Sequence, residues 1–244
     1  MKQKFIEIYR GIVVILMLTL FGLGGMFISN VIFLIKKERD ERYKILRKSW
    51  EFFVYLLEKT TLLKLHIKDR DIIENIRGKI IVSTHPSFVD IVLLMTVVPQ
   101  STCFVADKLA RNPFLKGMVQ SLFIIEGEEA WLQKAEDALN SNFNVIVFPM
   151  GTRHHKDEHL RIRRGTALLA LRTKKNISVL HLENSFDFLQ IHTPVYKAGC
   201  DVTQYNLEYI GEINTQEYID NYPDEVTFKT EMAKQIEKMV YKIQ

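Results

Sequence analysis

The sequence predicts an α/β fold, a mixed and largely parallel sheet flanked by helices, with an N-terminal membrane-anchoring helix. Three observations predict it. Short apolar runs alternate with helical patterns over most of the chain, as in layered α/β domains. The 25 residues from Gly11 to Ile35 carry no charge. Hydrophobic residues make up 47% of the 244 and charged residues 25%, a balance that excludes a disordered chain and provides for one sizeable core plus an appendage. The segments read as an anchor (1–40), an amphipathic connecting helix (41–65) and an α/β domain (66–244), with no internal repeat, low-complexity tract or interdomain linker.

The uncharged run GIVVILMLTLFGLGGMFISNVIFLI would reach about 37 Å as a helix, more than the roughly 30 Å hydrocarbon core of a bilayer. It is too long for a signal-peptide core, so it is read as a retained anchor in the cell membrane. Lys2, Lys4 and Arg10 precede it, whereas Lys36, Lys37, Arg39, Arg42, Lys44, Arg47 and Lys48 follow it. That asymmetry predicts a single span with the α/β domain on the cytoplasmic face. The alternative is that Gly22, Gly24 and Gly25 split the run into two shorter helices dipping into one leaflet.

Over 41–60, Tyr43, Leu46, Trp50, Phe53 and Leu57 recur at helical spacing with charges between them. Such a helix lies on the membrane with Trp50 at headgroup level, or packs on the domain. Strands are predicted at 80–83, 102–106, 122–125, 145–148, 177–182 and 207–210. Helical patterns lie at 90–98, 112–120, 129–140 and 164–174, and a last helix carries Phe228, Met232, Ile236, Met239, Val240 and Ile243 on one stripe. The net charge of +4 is too small to argue for nucleic acid. Cys103 and Cys200 form neither a disulfide framework nor a zinc spacing, and read as core residues in a reducing compartment.

The segment IIVSTHPSFVD (80–90) runs from an apolar strand through a polar turn into the helix at 90–98. In a continuous helix His85 and Asp90 would stand about 140° apart. Pro86 keeps His85 extended and suits a helix start, so the imidazole can fold back onto the carboxylate. Such a pair activates a hydroxyl: the imidazole takes the proton while the carboxylate fixes its tautomer. His154, His155 and His159, with Asp157 and Glu158 between them, lack the spacing of a zinc site and read as a solvated loop, so no metal is expected. At Phe148-Pro149-Met150-Gly151-Thr152-Arg153 a strand end meets a tight glycine turn. There Gly151 and Thr152 can present backbone N–H groups, and Arg153 a bidentate grip, to an anion.

Three ordered blocks carry a resemblance: His85-x4-Asp90 after a strand, Asp107–Gly117 (DKLARNPFLKG), and Phe148–Arg153 (FPMGTR) followed by Arg164-Gly165-Thr166-Ala167. Over about residues 78–200 the chain resembles the glycerophosphate and lysophospholipid acyltransferase family. The resemblance implies a membrane-bound O-acyltransferase with His85 as general base, oriented by Asp90, and Lys108, Arg111, Gly151, Thr152 and Arg153 binding substrate. The implied partners are membrane lipids, a lyso-lipid acceptor such as 1-acylglycerol 3-phosphate, and an acyl-CoA or acyl carrier protein thioester as co-substrate, with no cofactor. Transfer would be direct, and the chain has neither a Gly-x-Ser-x-Gly elbow nor an obvious nucleophilic cysteine. The basic set Lys156, Arg161, Arg163 and Arg164 reads as a rim attracting CoA phosphates, an acidic carrier protein or anionic lipid.

The chain departs from the family where Met150 replaces the usual glutamate and where Glu126-Gly127 replaces an acidic residue followed by arginine. A proline-centred fourth block is also missing at 177–181. These changes weaken a glycerol phosphate acceptor more than acyl transfer itself. Two alternatives remain: an acyltransferase of a specialised lipid pathway with a non-glycerophosphate acceptor, and an inactive lipid-binding relative. Thioester hydrolysis at the same base is a further reading.

Overall fold

The computed structural model describes residues 2–85, 87–113, 115–151, 161–185, 189 and 193–243. Helix α1 (Lys2–Phe27) runs through a π-helical turn (Ile28–Ile32) into α2 (Phe33–Ile35). Helix α3 (Arg39–Lys59) leads to β1 (Leu63–Ile67), α4 (Arg70–Glu74), β2 (Ile80–Ser83), α5 (Asp90–Val97) and β3 (Ser101–Val105). Then come α6 (Asp107–Ala110), α7 (Lys116–Leu122), β4 (Ile124–Ile125), α8 (Trp131–Asn140) and β5 (Asn144–Val147). The chain closes with α9 (Gly165–Thr173), β6 (Ile177–Asn184), β7 (Thr203–Ile213), α10 (Thr215–Asn221) and α11 (Glu225–Val240).

Among the described residues the strands form one sheet in the order β1-β7-β6-β2-β5-β3-β4. Every pair is parallel except β6 with β7. The predicted mixed, largely parallel α/β fold is therefore what the chain adopts. β2 is central and buried at all four residues, and its apolar Ile80-Ile81-Val82 run suits a strand covered on both faces. Because β6, β2, β5, β3 and β4 point the same way, their carboxyl ends share one edge of the sheet, where open α/β folds place ligands. Strand β7 runs the other way, which brings its first residues to that same edge.

β1 begins within the stretch read as the connecting helix, at Leu63, and runs two residues past its end. Its Leu-Lys-Leu-His-Ile alternation suits a sheet edge rather than an apolar central strand. The reversed β7 reaches from Thr203, four residues earlier than its most apolar part suggested. Phe228, Met232, Ile236 and Val240 of α11 are buried on the predicted stripe.

Helix α3 buries Tyr43, Leu46, Trp50, Phe53, Val54 and Leu57, each contributing roughly 1.5–3 kcal/mol if fully withdrawn from water. Trp50 is thus not at headgroup level, since its ring lies 6.3 Å from Phe21 and 6.1 Å from Phe123. The exposed aromatics of α3 are instead Phe52 and Tyr55, stacked at 6.5 Å.

The glycines do not break the N-terminal run. Residues Gln3–Ile35 form one helix, long and apolar enough to cross a membrane among the described residues. It is, however, docked on the domain near both ends. Arg10 is buried and donates to the carbonyls of Thr61 (2.6 Å), Asp201 (2.7 Å) and Gly199 (3.1 Å), with longer bonds to Leu62 and Ala198. At the other end Ser29 Oγ accepts from Met118 N–H at 3.0 Å. A Cβ on Gly117 would stand 2.8 Å from the Ser29 carbonyl oxygen, so glycine is what admits the helix there. The two tie points are about 28 Å apart along the axis.

Candidate active site

His85 follows the end of β2, and the strand end is pinned by Thr84. Its Oγ1 donates to Leu182 O at 2.5 Å and accepts from Leu182 N–H at 2.8 Å. Asp90 opens α5 and is fully buried. The imidazole does fold back: His85 Nδ1 and Asp90 Oδ2 are 2.9 Å apart. Ser87 completes the carboxylate shell, its N–H donating to Oδ2 and its hydroxyl to Oδ1, both at 2.6 Å. A buried carboxylate is stable only with such partners. Because a carboxylate accepts, Nδ1 carries the proton and Nε2 keeps its lone pair. The opposing constraint on the ring is Phe148, stacked on it at 4.0 Å and 15° from the end of β5.

His85 opens onto a cavity of about 950 Å³ at the carboxyl edge of the sheet. Its lining includes the apolar Ile91, Leu109 and Leu169 and the T-shaped pair Phe104–Trp131 at 5.7 Å. The lining also carries charge from Lys108, Arg163 and Glu126. Cys103 also faces it, but burial pushes its thiol well above the ordinary range, which keeps it protonated and poorly nucleophilic.

The predicted binding residues divide. Lys108 and Gly151 line the cavity. Arg111 does not: its side chain is 80% exposed and paired with Asp107 at 2.5 Å. Gly151 has φ +72°, and a Cβ there would come within 2.2 Å of the Arg163 guanidinium carbon, so glycine brings that cation against the turn. Its N–H, expected to face an anion, instead closes the turn on Phe148 O at 2.9 Å. Thr152 and Arg153 lie outside the described residues, as do His154, His155 and His159. Met150 is buried, at 3% exposure, away from the cavity. Among the described residues no group of three or more His, Cys, Asp or Glu is placed to hold a metal.

The sequence reading did not single out Ser87, Phe148 or Glu126 as site residues, and it left Arg163 as one of four rim cations. Ser87 carried a signal, a hydroxyl three residues before the acid that opens the helix, the spacing of a capping side chain. Phe148 stood in the quoted third block. For Glu126 only its place after a strand pointed to the site.

A family model described as Acyltransferase matches residues 64–182. No curated protein matches the chain. Among solved structures, the 1-acyl-sn-glycerophosphate (LPA) acyltransferase PlsC of Thermotoga maritima superposes with a TM-score of 0.70. It is 17% identical, and the match covers 99% of this chain and 94% of that one, a likeness of fold. The matched segment runs from β1 into β6 and contains the His85–Asp90 pair with the cavity it opens onto, and that segment belongs to the acyltransferase family.

Proposed function

We propose that the chain transfers a fatty acyl group from a thioester, of CoA or an acyl carrier protein, to a hydroxyl of a lyso-lipid at the membrane surface. The observation that carries this reading is the His85–Asp90 pair opening onto a cavity lined both by apolar side chains and by the cations Lys108 and Arg163. His85 Nε2 takes the proton of the acceptor hydroxyl as its oxygen attacks the thioester carbonyl. The C–O bond forms, the C–S bond breaks, and the proton passes to the departing thiolate. The apolar side chains suit an acyl chain, while Lys108 and Arg163 suit phosphate. The protonated, buried Cys103 favours direct transfer over an acyl-enzyme.

A second reading concerns the acceptor. Met150 is buried where the family has a glutamate, Gly127 offers no side chain at the cavity wall, and Glu126 sets a carboxylate among the cations. These features favour an acceptor other than a phosphate monoester such as lysophosphatidic acid. In a competition between lyso-lipids with one acyl donor, lysophosphatidic acid should be outpaced by another acceptor. A preference for it above about tenfold, about 1.4 kcal/mol in the transition state, overturns this second reading. Thioester consumption without transfer to any acceptor overturns the first.

The membrane attachment follows from helix α1 having two apolar faces. One is docked on the domain; the other exposes Phe5, Ile8, Ile12, Leu16, Leu23 and Phe27. Ties to the domain at Arg10 and Ser29 suit a helix lying along the cytoplasmic leaflet with the domain, rather than one leaving it to span. Single cysteines replacing Lys4 and Lys37 should then both be shielded from an impermeant maleimide in intact expressing cells and both react after lysis. Labelling of the Lys4→Cys variant in intact cells would restore the span.

A further inference from the structure

Behind the carboxylate of Asp90 lies a buried polar group that the reaction above does not use. Tyr205 of β7 is fully buried, and its hydroxyl stands 2.8 Å from Ser87 Oγ. Asn184, the last residue of β6 and the register partner of Tyr205, directs its Nδ2 to the phenol oxygen at 3.4 Å. The antiparallel turn of β7 sets this tyrosine at the carboxyl edge of the sheet, outside the segment matched by the family model.

The polarity of these contacts is fixed by what each group can donate. Asp90 only accepts, so the single Ser87 hydroxyl proton is committed to Oδ1. Ser87 Oγ then has lone pairs alone to offer Tyr205, and the phenol must be the donor. Burial, with the charge of Asp90, pushes the phenol above its ordinary range and keeps that proton on the oxygen. The chain of bonds therefore has one direction, from the Asn184 amide through Tyr205 and Ser87 to Asp90 Oδ1, while His85 Nδ1–H meets Oδ2.

We propose that Tyr205 is a positioning residue for the reaction at His85, acting through Ser87 to hold the Asp90 carboxylate in the orientation that fixes the imidazole. The proposal rests on His85 being the general base. Tyr205 touches neither substrate nor the reacting atoms; it restricts the rotation of Ser87, whose two donors aim both oxygens of Asp90. Hydrogen bonds linked in this way strengthen one another, so their effects on turnover should not be independent.

The test uses full-length protein in lyso-lipid mixed micelles with an acyl-CoA donor. Tyr205→Phe, Ser87→Ala and the double variant are each expected to lower kcat about tenfold, with KM for the donor within twofold of wild type. The double variant should be no slower than the slower single. A tyrosine needed for packing alone would give kcat within twofold of wild type, or losses that multiply to about a hundredfold; either result overturns the assignment. If Tyr205→Phe does not fold, Ser87→Cys carries the test, since a thiol keeps the shape but is a weak partner for both bonds. Its turnover within twofold of wild type likewise overturns the proposal. His85→Ala in the same assay separates the two claims. An active His85→Ala removes the general-base reading itself, whereas an inactive one beside a fully active Tyr205→Phe removes only the role of Tyr205.

Discussion

His85→Ala is expected to lower turnover by about 10²- to 10⁴-fold while leaving thermal unfolding close to wild type. The expectation comes from Nε2, the ring nitrogen left with a lone pair once Nδ1 is committed to Asp90 at 2.9 Å. Among the described residues that line the cavity, no second histidine is available to take over. The ring is held by Asp90 on one side and Phe148 on the other, so its removal takes away a group already in position. Single-turnover transfer of a labelled acyl chain gives the measurement. A rate within a few-fold of wild type in the purified variant would exclude His85 as the base. Asp90→Asn should approach the same loss, because an amide at that site no longer selects the Nδ1–H tautomer.

The largest effect on stability is expected from Arg10→Leu. The guanidinium is buried and donates to five backbone carbonyls drawn from 61–62 and 198–201, so one side chain joins α1 to two loops distant in sequence. Leucine leaves those carbonyls without their donor, and those of Leu62 and Ala198 are buried with it. The cost of such a loss is about 3 kcal/mol, given that each unsatisfied buried group costs about 1–3. For a chain of this size that corresponds to a fall in Tm of about 6–12 °C, read by thermal unfolding in detergent. A shift below 2 °C would show that the helix is held by its apolar contacts alone. Aromatic contacts join the same helix to the catalytic fold. Phe21 of α1 packs on Phe53 at 4.7 Å and meets Phe88, between His85 and Asp90, edge-on at 6.3 Å.

What the sequence made legible was local. The β2 run, the proline after His85 and the acid opening α5 lie within eleven residues, and their pairing follows from chain stiffness and helix geometry alone. The alternation of apolar and helical patterns likewise marked most strands, because buried parallel strands are apolar throughout. What stayed hidden depends on contacts distant in sequence. Tyr205 lies 118 positions from Ser87, and nothing in its own neighbourhood says that β7 reverses to meet the carboxyl edge. Arg111 looked equivalent to Lys108 in the same basic block, yet one turn of α6 sends the former to solvent and to Asp107. The Gly151 turn was visible as a turn, but its N–H went to Phe148 O, a bond that depends on the exact closure of the loop.

The π-helical turn at Ile28–Ile32 also sets the phase of the N-terminal helix. Counted at about 100° per residue, an unbroken α-helix would carry Phe33 some 140° round the axis from Arg10, well off the docked side. One widened turn holds back about the angle of a single residue and returns Phe33 to within about 40° of Arg10. Phe33 is accordingly buried, and Arg42 lies over its ring at 5.2 Å while bonding its carbonyl at 2.8 Å. The first and last parts of the helix therefore face the domain with the same azimuth despite their separation. Deleting one residue from 28–32 would leave a regular helix that keeps this azimuth, whereas regularising the turn at unchanged length would carry Phe33 about 100° round the axis, off the docked side.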